Sequence, residues 1–403
     1  MKSVAKQVGV EMSIFSVFAQ DRALDQLQQA LRSERVPHAY IFHGPAGVGK
    51  ELCAREFAKV ILCENRRQTR HDNQDVFDCC DLCVSCRGIQ ADTHPDFHLV
   101  YREQIYELRP ERPDQQEADN QGRSKTTKAT NLAIDVIREK LNEPAHLTSA
   151  YGRGKVFVVR EFHLADAPGQ NALLKTLEEP PAGTVLILLA DSLEGLLPTV
   201  LSRCRMVVFS PLPEDFLLDR LSQAGCEQSQ GRFWARFAQG SLGRALWFTG
   251  QQWYQDKVEL LESLAHLTAG EVVELAERMI DLAKDYTSRT RKEEPPISDT
   301  VAKQRMYSFL LAVTAAFYRD LMLCRSGSGP SAWINADQEP LVKAAAHRIA
   351  LLDASRAVSL VSRAEYLILA NVNANLVFED LFGDLAGLNS PAVHSGVSPD
   401  KTR

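Results

Sequence analysis

The feature that most constrains this chain is a glycine-rich loop lying between a strand pattern and a helix pattern. Gly44-Pro-Ala-Gly-Val-Gly-Lys50 fits G-x-x-x-x-G-K, the first seven positions of a P-loop. The apolar run 39–42 precedes it, and helical spacing resumes over 51–62. Such glycines let backbone N–H groups point at a phosphate, and the helix N-terminus adds its positive end. The pattern predicts a phosphate-binding loop in which Lys50 reaches the β- and γ-phosphates.

Further short apolar runs predict the rest of a sheet. They lie at 156–159, 185–190 and 206–209, and 96–100 is a weaker candidate. Because these runs lack polar alternation, they indicate parallel strands covered on both faces. Strand patterns end near Pro211, and helical patterns follow to about 385. The chain is therefore predicted to have an α/β N-terminal half and an all-α C-terminal half, with a charged, solvated insertion over 102–130.

Composition excludes some classes of protein. The 46 Lys and Arg against 52 Asp and Glu give a net charge of −6, which argues against a protein that coats nucleic acid unaided. The sequence contains no run of 18 or more apolar residues, so no transmembrane helix is predicted. Residues 1–20 carry scattered charges and no apolar core, so no signal peptide is predicted. The expected compartment is the cytoplasm, without membrane association.

The two positions with which a P-loop ATPase holds Mg²⁺ both carry unusual residues. Glu51 stands where a Ser or Thr hydroxyl normally follows the lysine. Arg160 stands where an aspartate normally ends the second nucleotide-binding strand, although Glu161 keeps the acidic position after it. These departures predict impaired binding of Mg-nucleotide and no intrinsic ATPase activity. Glu51 leaves two readings open, a metal ligand or an acid that complements the helix dipole.

A cluster of cysteines follows the P-loop helix. Cys80-x-x-Cys83-x-x-Cys86, with Cys63 upstream, has the short spacing with which thiolates hold a tetrahedral metal ion. In a chain without a secretion signal, such a cluster indicates a metal site rather than disulfides. Cys79 competes with Cys80 as the ligand, since adjacent cysteines rarely bind one ion together. A structural Zn²⁺ is expected, and an iron–sulfur cluster is the alternative.

Several motifs together resemble the bacterial clamp-loader AAA+ family, which includes the gamma/tau and delta prime subunits of DNA polymerase III. The strand 38–42 before the P-loop is one of them. The others are Asn171-Ala-Leu-Leu-Lys-Thr-Leu-Glu-Glu-Pro-Pro181, Leu197-Pro-Thr-Val-Leu-Ser-Arg-Cys204, Gly240-Ser-Leu-Gly-Arg-Ala245 and Ile368-Leu-Ala-Asn-Val-Asn-Ala-Asn-Leu376. The resemblance covers roughly 15–385. The lost Mg²⁺ positions, the kept Ser-Arg-Cys arginine and the short tail favour the delta prime branch.

The resemblance implies a fold in three domains. A RecA-like AAA+ domain would span 1–209, with a four-cysteine zinc module inserted at 63–86. A helical lid domain would span 210–255, and a helical collar that holds subunits together would span 256–388. The tail 389–403 would be disordered.

The resemblance also implies roles for single residues. Arg203 would be an arginine finger that reaches ATP bound by a neighbouring subunit. Arg244 would lie at the sensor 2 position, and sensor 1 would fall at Asp191 or Ser192. The residues expected at the degenerate nucleotide site are Gly44, Gly47, Gly49, Lys50 and Arg244, and those expected at the zinc are Cys63, Cys80, Cys83 and Cys86.

The implied function is a clamp-loader subunit of the DNA polymerase III holoenzyme. It would act as a stator and in-trans finger donor in a hetero-pentamer with gamma/tau and delta subunits, loading the sliding clamp onto primed DNA. The loop leaves residual ATP binding by this subunit itself open, and impaired binding of Mg²⁺ with it is expected. One alternative is an active gamma/tau-like ATPase, and a second is a zinc-dependent binding protein outside replication.

Overall fold

The computed structural model describes residue 14 and residues 17–71, 74–108, 131–251, 253–290 and 299–389. The described chain divides into two compact units. The first comprises Met1–Leu217 and Gln239–Arg244, and the second comprises Leu218–Ala238 and Ala245–Arg403. The predicted three-domain division stays a prediction, and the predicted disordered tail lies outside the described residues from 390 onward.

Unit 1 is built on a five-stranded sheet with the order β4-β5-β6-β1-β7, and every neighbouring pair is parallel. A separate antiparallel pair is formed by β2 and β3. The predicted parallel sheet is thereby confirmed. The strands are β1 Ala39–His43, β2 Arg67–His71, β3 Gln74–Asp78, β4 Phe97–Val100, β5 Lys155–Val159, β6 Thr184–Ala190 and β7 Arg205–Val208.

Alternate residues of each central strand enter two different cores, one on each face of the sheet. In β1, Tyr40 and Phe42 join the core that contains helices α1 and α2, whereas Ile41 joins the core that contains α7. Because both faces are covered, no position of β5 or β6 is left for a polar residue facing water. This explains the uninterrupted apolar runs of the sequence.

The helices of unit 1 flank this sheet. A π-helical stretch, Arg138–Asn142, joins α5 to α6. Short 3-10 turns occupy Arg102–Gln104 and Phe162–Leu164. The helices are α1 Asp21–Arg32, α2 Lys50–Leu62, α3 Val84–Gln90, α4 Ile105–Leu108, α5 Ile134–Ile137, α6 Glu143–His146, α7 Ala167–Glu178 and α8 Pro198–Leu201. The predicted insertion begins as helical turns over 102–108, and 109–130 lie outside the described residues.

The sequence analysis missed the hairpin of β2 and β3, which fills the long gap between Cys63 and Cys80. Two side chains of α1 anchor it, since Arg32 donates to the carbonyl of Asp75 (3.1 Å) and Gln28 binds both backbone groups of Phe77. Gln28 donates from Nε2 to the carbonyl of Phe77 (2.8 Å) and accepts at Oε1 from its N–H (2.9 Å). The buried amide thus replaces a neighbouring strand, which satisfies both backbone groups.

The described part of unit 2 is helical, as predicted. Its core holds an aromatic cluster in which the rings of Trp253 and Phe309 lie 4.5 Å apart and those of Trp234 and Phe248 lie 5.4 Å apart. From α9 onward the helices are α9 Glu214–Gln223, α10 Gln228–Phe237, α11 Leu242–Gly250, α12 Tyr254–His266, α13 Val272–Thr290, α14 Asp299–Arg325, α15 Glu339–Arg348, α16 Leu351–Leu369 and α17 Ala374–Asn389.

Helix α14 is long and apolar enough to span a membrane by length and composition alone. However, 61% of its most apolar 18-residue window is buried inside the structure. The core helix of a soluble protein passes the same test, so this single helix is weak support for a membrane span.

Candidate functional site

The phosphate loop connects the end of β1 to the start of α2, as predicted. Gly44 and Gly47 both have positive φ, at 154° and 74°, where a side chain is disfavoured. A Cβ on Gly44 would overlap the carbonyl of Phe209, which follows β7. Gly49, also at positive φ, precedes the first helical residue, Lys50. The glycines therefore serve both the turn and a close approach between neighbouring strand ends.

Lys50 is almost fully buried and makes three contacts within unit 1. Its Nζ donates to the loop carbonyls of Gly44 and Pro45, the latter at 2.6 Å. It also forms an ion pair of 2.8 Å with Oδ1 of Asp191, at the end of β6. Asp191 was expected only as a departure at the sensor 1 position, and its contact with the P-loop lysine was not foreseen. Parallel strands bring their carboxyl ends to one edge of the sheet, which is why these distant residues meet.

The two unusual residues on the Mg²⁺ side contact each other. Oε2 of Glu51 lies 3.2 Å from Nε of Arg160, at the end of β5. Glu51 also pairs through Oε1 with Arg55, one helical turn later, at 3.2 Å. Arg55 in turn pairs with Asp92. Glu51 therefore balances two guanidinium groups in this structure, and the charge of each unusual residue compensates that of the other.

The carboxylate of Glu161 forms an ion pair with a different arginine. Its backbone is left-handed, with φ at 49°, and its Oε2 lies 3.3 Å from Nε of Arg102. Sequence reasoning did not identify Arg102, because nothing local in 102–108 marks a partner for the strand end. Ser192, the other sensor 1 candidate, accepts from the backbone N–H of Glu194, within its own turn.

The predicted sensor 2 segment packs against Gly47 of the phosphate loop. The N–H of Gly243 donates to the carbonyl of Gly47 at 3.2 Å, and a Cβ on Gly47 would overlap Oγ of Ser241. The N–H of Arg244 donates to the same Oγ. Burial lowers the pKa of the Arg244 guanidinium below its usual range. The structure therefore brings this segment to the predicted nucleotide site.

Arg203 lies in the turn between α8 and β7. Its Nη2 forms an ion pair of 2.7 Å with Oε1 of Glu178, the last residue of α7. Its Nη1 donates to the carbonyl of Thr199 at 3.0 Å. These contacts are all to α7 and α8, and the side chain remains about one third exposed. Arg203 therefore contacts different residues from those that Lys50 contacts.

Four of the predicted metal ligands converge. The Sγ atoms of Cys63, Cys80, Cys83 and Cys86 all lie within 4.8 Å of one another, and the four residues are buried. The Sγ of Cys63 is 3.5 Å from that of Cys80 and 3.9 Å from that of Cys83. A tetrahedral ion with Zn–S bonds of about 2.3 Å has S–S edges of about 3.8 Å. The donor set therefore fits one metal ion in a closed site.

Backbone N–H groups support these thiols. The N–H of Cys80 donates to Sγ of Cys63, and the N–H of Cys83 donates to Sγ of Cys80 at 3.3 Å. Burial raises the pKa of Cys63 to about 12. Burial also opposes ionisation of Cys80, but hydrogen bonds from the N–H of Leu82 and Cys83 lower its pKa to about 7. Amide donors of this kind stabilise the thiolate form that binds metal.

Cys79 lies outside the group of four thiols, although its side chain hydrogen-bonds that of Cys86, and it also contacts a second group of side chains. Its thiol donates to Oδ1 of Asp81 at 3.3 Å, next to Glu56. The ammonium of Lys59 lies between the two acids, 2.9 Å from each. Because a buried lysine already supplies the positive charge there, this second group resembles an internal ion-pair network rather than a metal site. The sequence does not separate Cys79 from Cys80, whereas the structure gathers only Cys80 with the other three.

The fold and these sites define a class of protein: a P-loop α/β domain with a cysteine module, followed by helices. A family model described as "DNA polymerase III, delta subunit" matches residues 19–213. The delta prime subunit of Escherichia coli K12 is 33% identical over 248 residues, which cover 60% of this chain and 63% of that protein. The delta prime subunit of Bacillus subtilis 168 is 27% identical over 217 residues, which cover 54% of this chain and 55% of that protein.

The tau subunit of Bacillus subtilis 168 is 28% identical over 207 residues, which cover 51% of this chain and 31% of tau. The chain thus spans less than two thirds of the length of the curated relatives it matches. Over residues 19–213 it is similar to the delta prime subunits of DNA polymerase III and, in the same region, to tau. The resemblance predicted from the motifs is confirmed.

Proposed function

We propose that this chain is a clamp-loader subunit of the DNA polymerase III holoenzyme. It acts as a stator and supplies Arg203 in trans to ATP bound by a neighbouring subunit. Its partners are gamma/tau and delta subunits in a hetero-pentamer, which loads the sliding clamp onto primed DNA in the cytoplasm. The proposal keeps the predicted domains, an AAA+ domain with a zinc module over 1–209, a lid over 210–255 and a collar over 256–388.

The observation that carries this proposal is the ion pair between Glu51 and Arg160. A hydrolysing P-loop protein needs a hydroxyl and an aspartate on Mg²⁺ at these two positions. Here both side chains are used to neutralise each other, so the site lacks the ligands of a working ATPase. Arg203 keeps about one third of its side chain exposed, as an arginine that reaches a neighbouring subunit requires.

The four converging cysteines support a structural Zn²⁺. Cys63, Cys80, Cys83 and Cys86 would hold the ion, which would tie the hairpin and α3 to the end of α2. Bound zinc supplies folding energy here and no reaction, because its four protein ligands leave no position for substrate.

The test is a reconstituted complex with gamma/tau and delta subunits, clamp and primed DNA. ATP turnover is compared for the wild type, Arg203→Ala and Lys50→Ala. We expect Arg203→Ala to lower turnover at least tenfold at the site that it completes, whereas Lys50→Ala leaves turnover unchanged. A loss carried by Lys50→Ala alone would instead favour an active gamma/tau-like ATPase. Failure to assemble with gamma/tau and delta would favour a role outside replication.

A further inference from the structure

The phosphate loop carries its own counter-ions on both sides of the expected nucleotide site. On the phosphate side, Lys50 is paired with Asp191 at 2.8 Å. On the metal side, Glu51 is paired with Arg160 at 3.2 Å. All four residues lie where β1, β5 and β6 end, at one edge of the sheet. The two pairs therefore bracket the position at which a P-loop receives a nucleotide.

The three contacts of Lys50 use its full hydrogen-bonding capacity. An ammonium group has three N–H donors, and here they meet the carbonyls of Gly44 and Pro45 and the carboxylate of Asp191. A phosphate that reaches Lys50 must displace Asp191 or one of the two loop carbonyls, and in either case it meets the negative charge of Asp191 at close range. Because Lys50 is almost fully buried, water screens this interaction only in part.

Glu51 is likewise engaged on both carboxylate oxygens. Oε1 faces Arg55 and Oε2 faces Arg160. A divalent cation that approaches Glu51 must displace Arg160 or share the carboxylate with its guanidinium.

We propose that these two ion pairs make the phosphate loop self-liganded. Asp191 is the internal anion of Lys50, and Arg160 is the internal cation of Glu51. A nucleoside triphosphate then binds weakly, and Mg²⁺ does not strengthen its binding. This inference concerns the degenerate nucleotide site of the proposed function and explains it by named contacts.

The test measures binding of a fluorescent N-methylanthraniloyl-ATP to the isolated full-length chain, with and without MgCl₂. The variants are Asp191→Asn, the double variant Glu51→Thr with Arg160→Asp, and the triple variant that combines them. Glu194→Gln is the matched control, because it removes a nearby exposed carboxylate for which no contact with Lys50 is observed. Circular dichroism and the melting temperature establish that each variant is folded.

We expect Asp191→Asn to bind at least tenfold more tightly than the wild type and Glu194→Gln. We expect Mg²⁺ to tighten binding at least tenfold in the triple variant and to have no effect in the wild type. The proposal is overturned when Asp191→Asn binds no better than the wild type, including the case in which neither binds. It is also overturned when the wild type already shows Mg²⁺-dependent binding as tight as that of the triple variant.

Should the triple variant fail to fold, Asp191→Asn alone tests the proposal. We expect this variant to fold, because the Asp191 carboxylate is partly exposed and asparagine is nearly isosteric with aspartate. The assay contains no partner subunit and does not involve Arg203. Its outcome is therefore independent of whether the chain donates an arginine finger in a clamp loader.

Discussion

Arg203 is paired with Glu178 at 2.7 Å, so the proposed arginine finger has an internal partner when it is not at a neighbour's nucleotide. Glu178 ends α7 and belongs to the Leu-Lys-Thr-Leu-Glu-Glu-Pro-Pro motif, whereas Arg203 belongs to the Ser-Arg-Cys motif. The structure thus joins two motifs that the sequence presents as separate signatures. Because carboxylate and phosphate compete for the same guanidinium, Arg203 must leave Glu178 to reach ATP.

The first prediction concerns Glu178→Gln in the reconstituted complex. An exposed ion pair contributes about 0.2–1 kcal/mol, which corresponds to a change of up to about fivefold. We expect the apparent KM for ATP to fall by about two- to fivefold while kcat changes little, since the finger itself is kept. Steady-state ATP turnover measures both parameters.

Glu179→Gln is the control for this experiment, because it removes the adjacent carboxylate of the same motif. Equal KM values for Glu178→Gln and the wild type, in a complex that responds to Arg203→Ala, would show that the ion pair does not restrain the finger.

The second prediction concerns the metal. Cys83→Ser removes one of the four converging sulfurs, so we expect the zinc content to fall from about one ion per chain to below about 0.1 and the melting temperature to drop. Cys79→Ser is the matched control and is expected to keep its zinc, because its thiol faces Asp81. Mass spectrometry of bound metal after gel filtration distinguishes the two. Loss of zinc from Cys79→Ser alone would contradict the ligand set.

The third prediction concerns the buried network beside the cysteine module. Lys59 and Glu56 each expose only 1% of their side chains and lie 2.9 Å apart. Lys59→Met leaves the buried Glu56 without its partner, so we expect the free energy of unfolding to fall by about 3–5 kcal/mol. Urea denaturation measures the change. Lys59→Met combined with Glu56→Gln is expected to recover part of the loss, and an equally unstable double variant would argue against this cause.

The fourth prediction concerns pH. Asp96 is buried and accepts hydrogen bonds from Oγ of Ser149 (3.0 Å) and from the N–H of Ala150 and Tyr151 (2.8 and 2.9 Å). Burial alone would raise its pKa, but these donors outweigh it and hold the pKa below the ordinary value of 3.8. A carboxyl whose pKa is lower in the folded state stabilises the fold above that ordinary value. The contribution disappears as the pH falls through the folded-state pKa.

Asp96→Asn is therefore expected to lower the free energy of unfolding at pH 7 by about 1.5–3 kcal/mol, the range for hydrogen bonds to a charged group. The difference from the wild type should shrink as the pH falls below about 3.8. Urea titrations at pH 7, 5 and 3 measure it. A difference that stays constant over this range would exclude the carboxylate charge as its origin.

The sequence was most informative where a feature depends on neighbouring residues. The parallel strands followed from short apolar runs, and the phosphate loop followed from glycines at fixed spacing between a strand and a helix. The hairpin of β2 and β3 was missed because its residues are mostly polar. Its stability depends on Gln28, which is distant in sequence and carries no signal of that role.

The sequence by itself determined the fold class, the phosphate loop, the unusual residues Glu51 and Arg160 beside it, and a set of five candidate cysteines. Only the tertiary structure decided which side chains meet: Lys50 with Asp191, Glu51 with Arg160, and Cys80 rather than Cys79 with the other thiols. The reason is that periodicity and spacing report short-range geometry. The charge balance of the site arises where separate strands end at one edge of the sheet, and that edge exists only after the chain has folded.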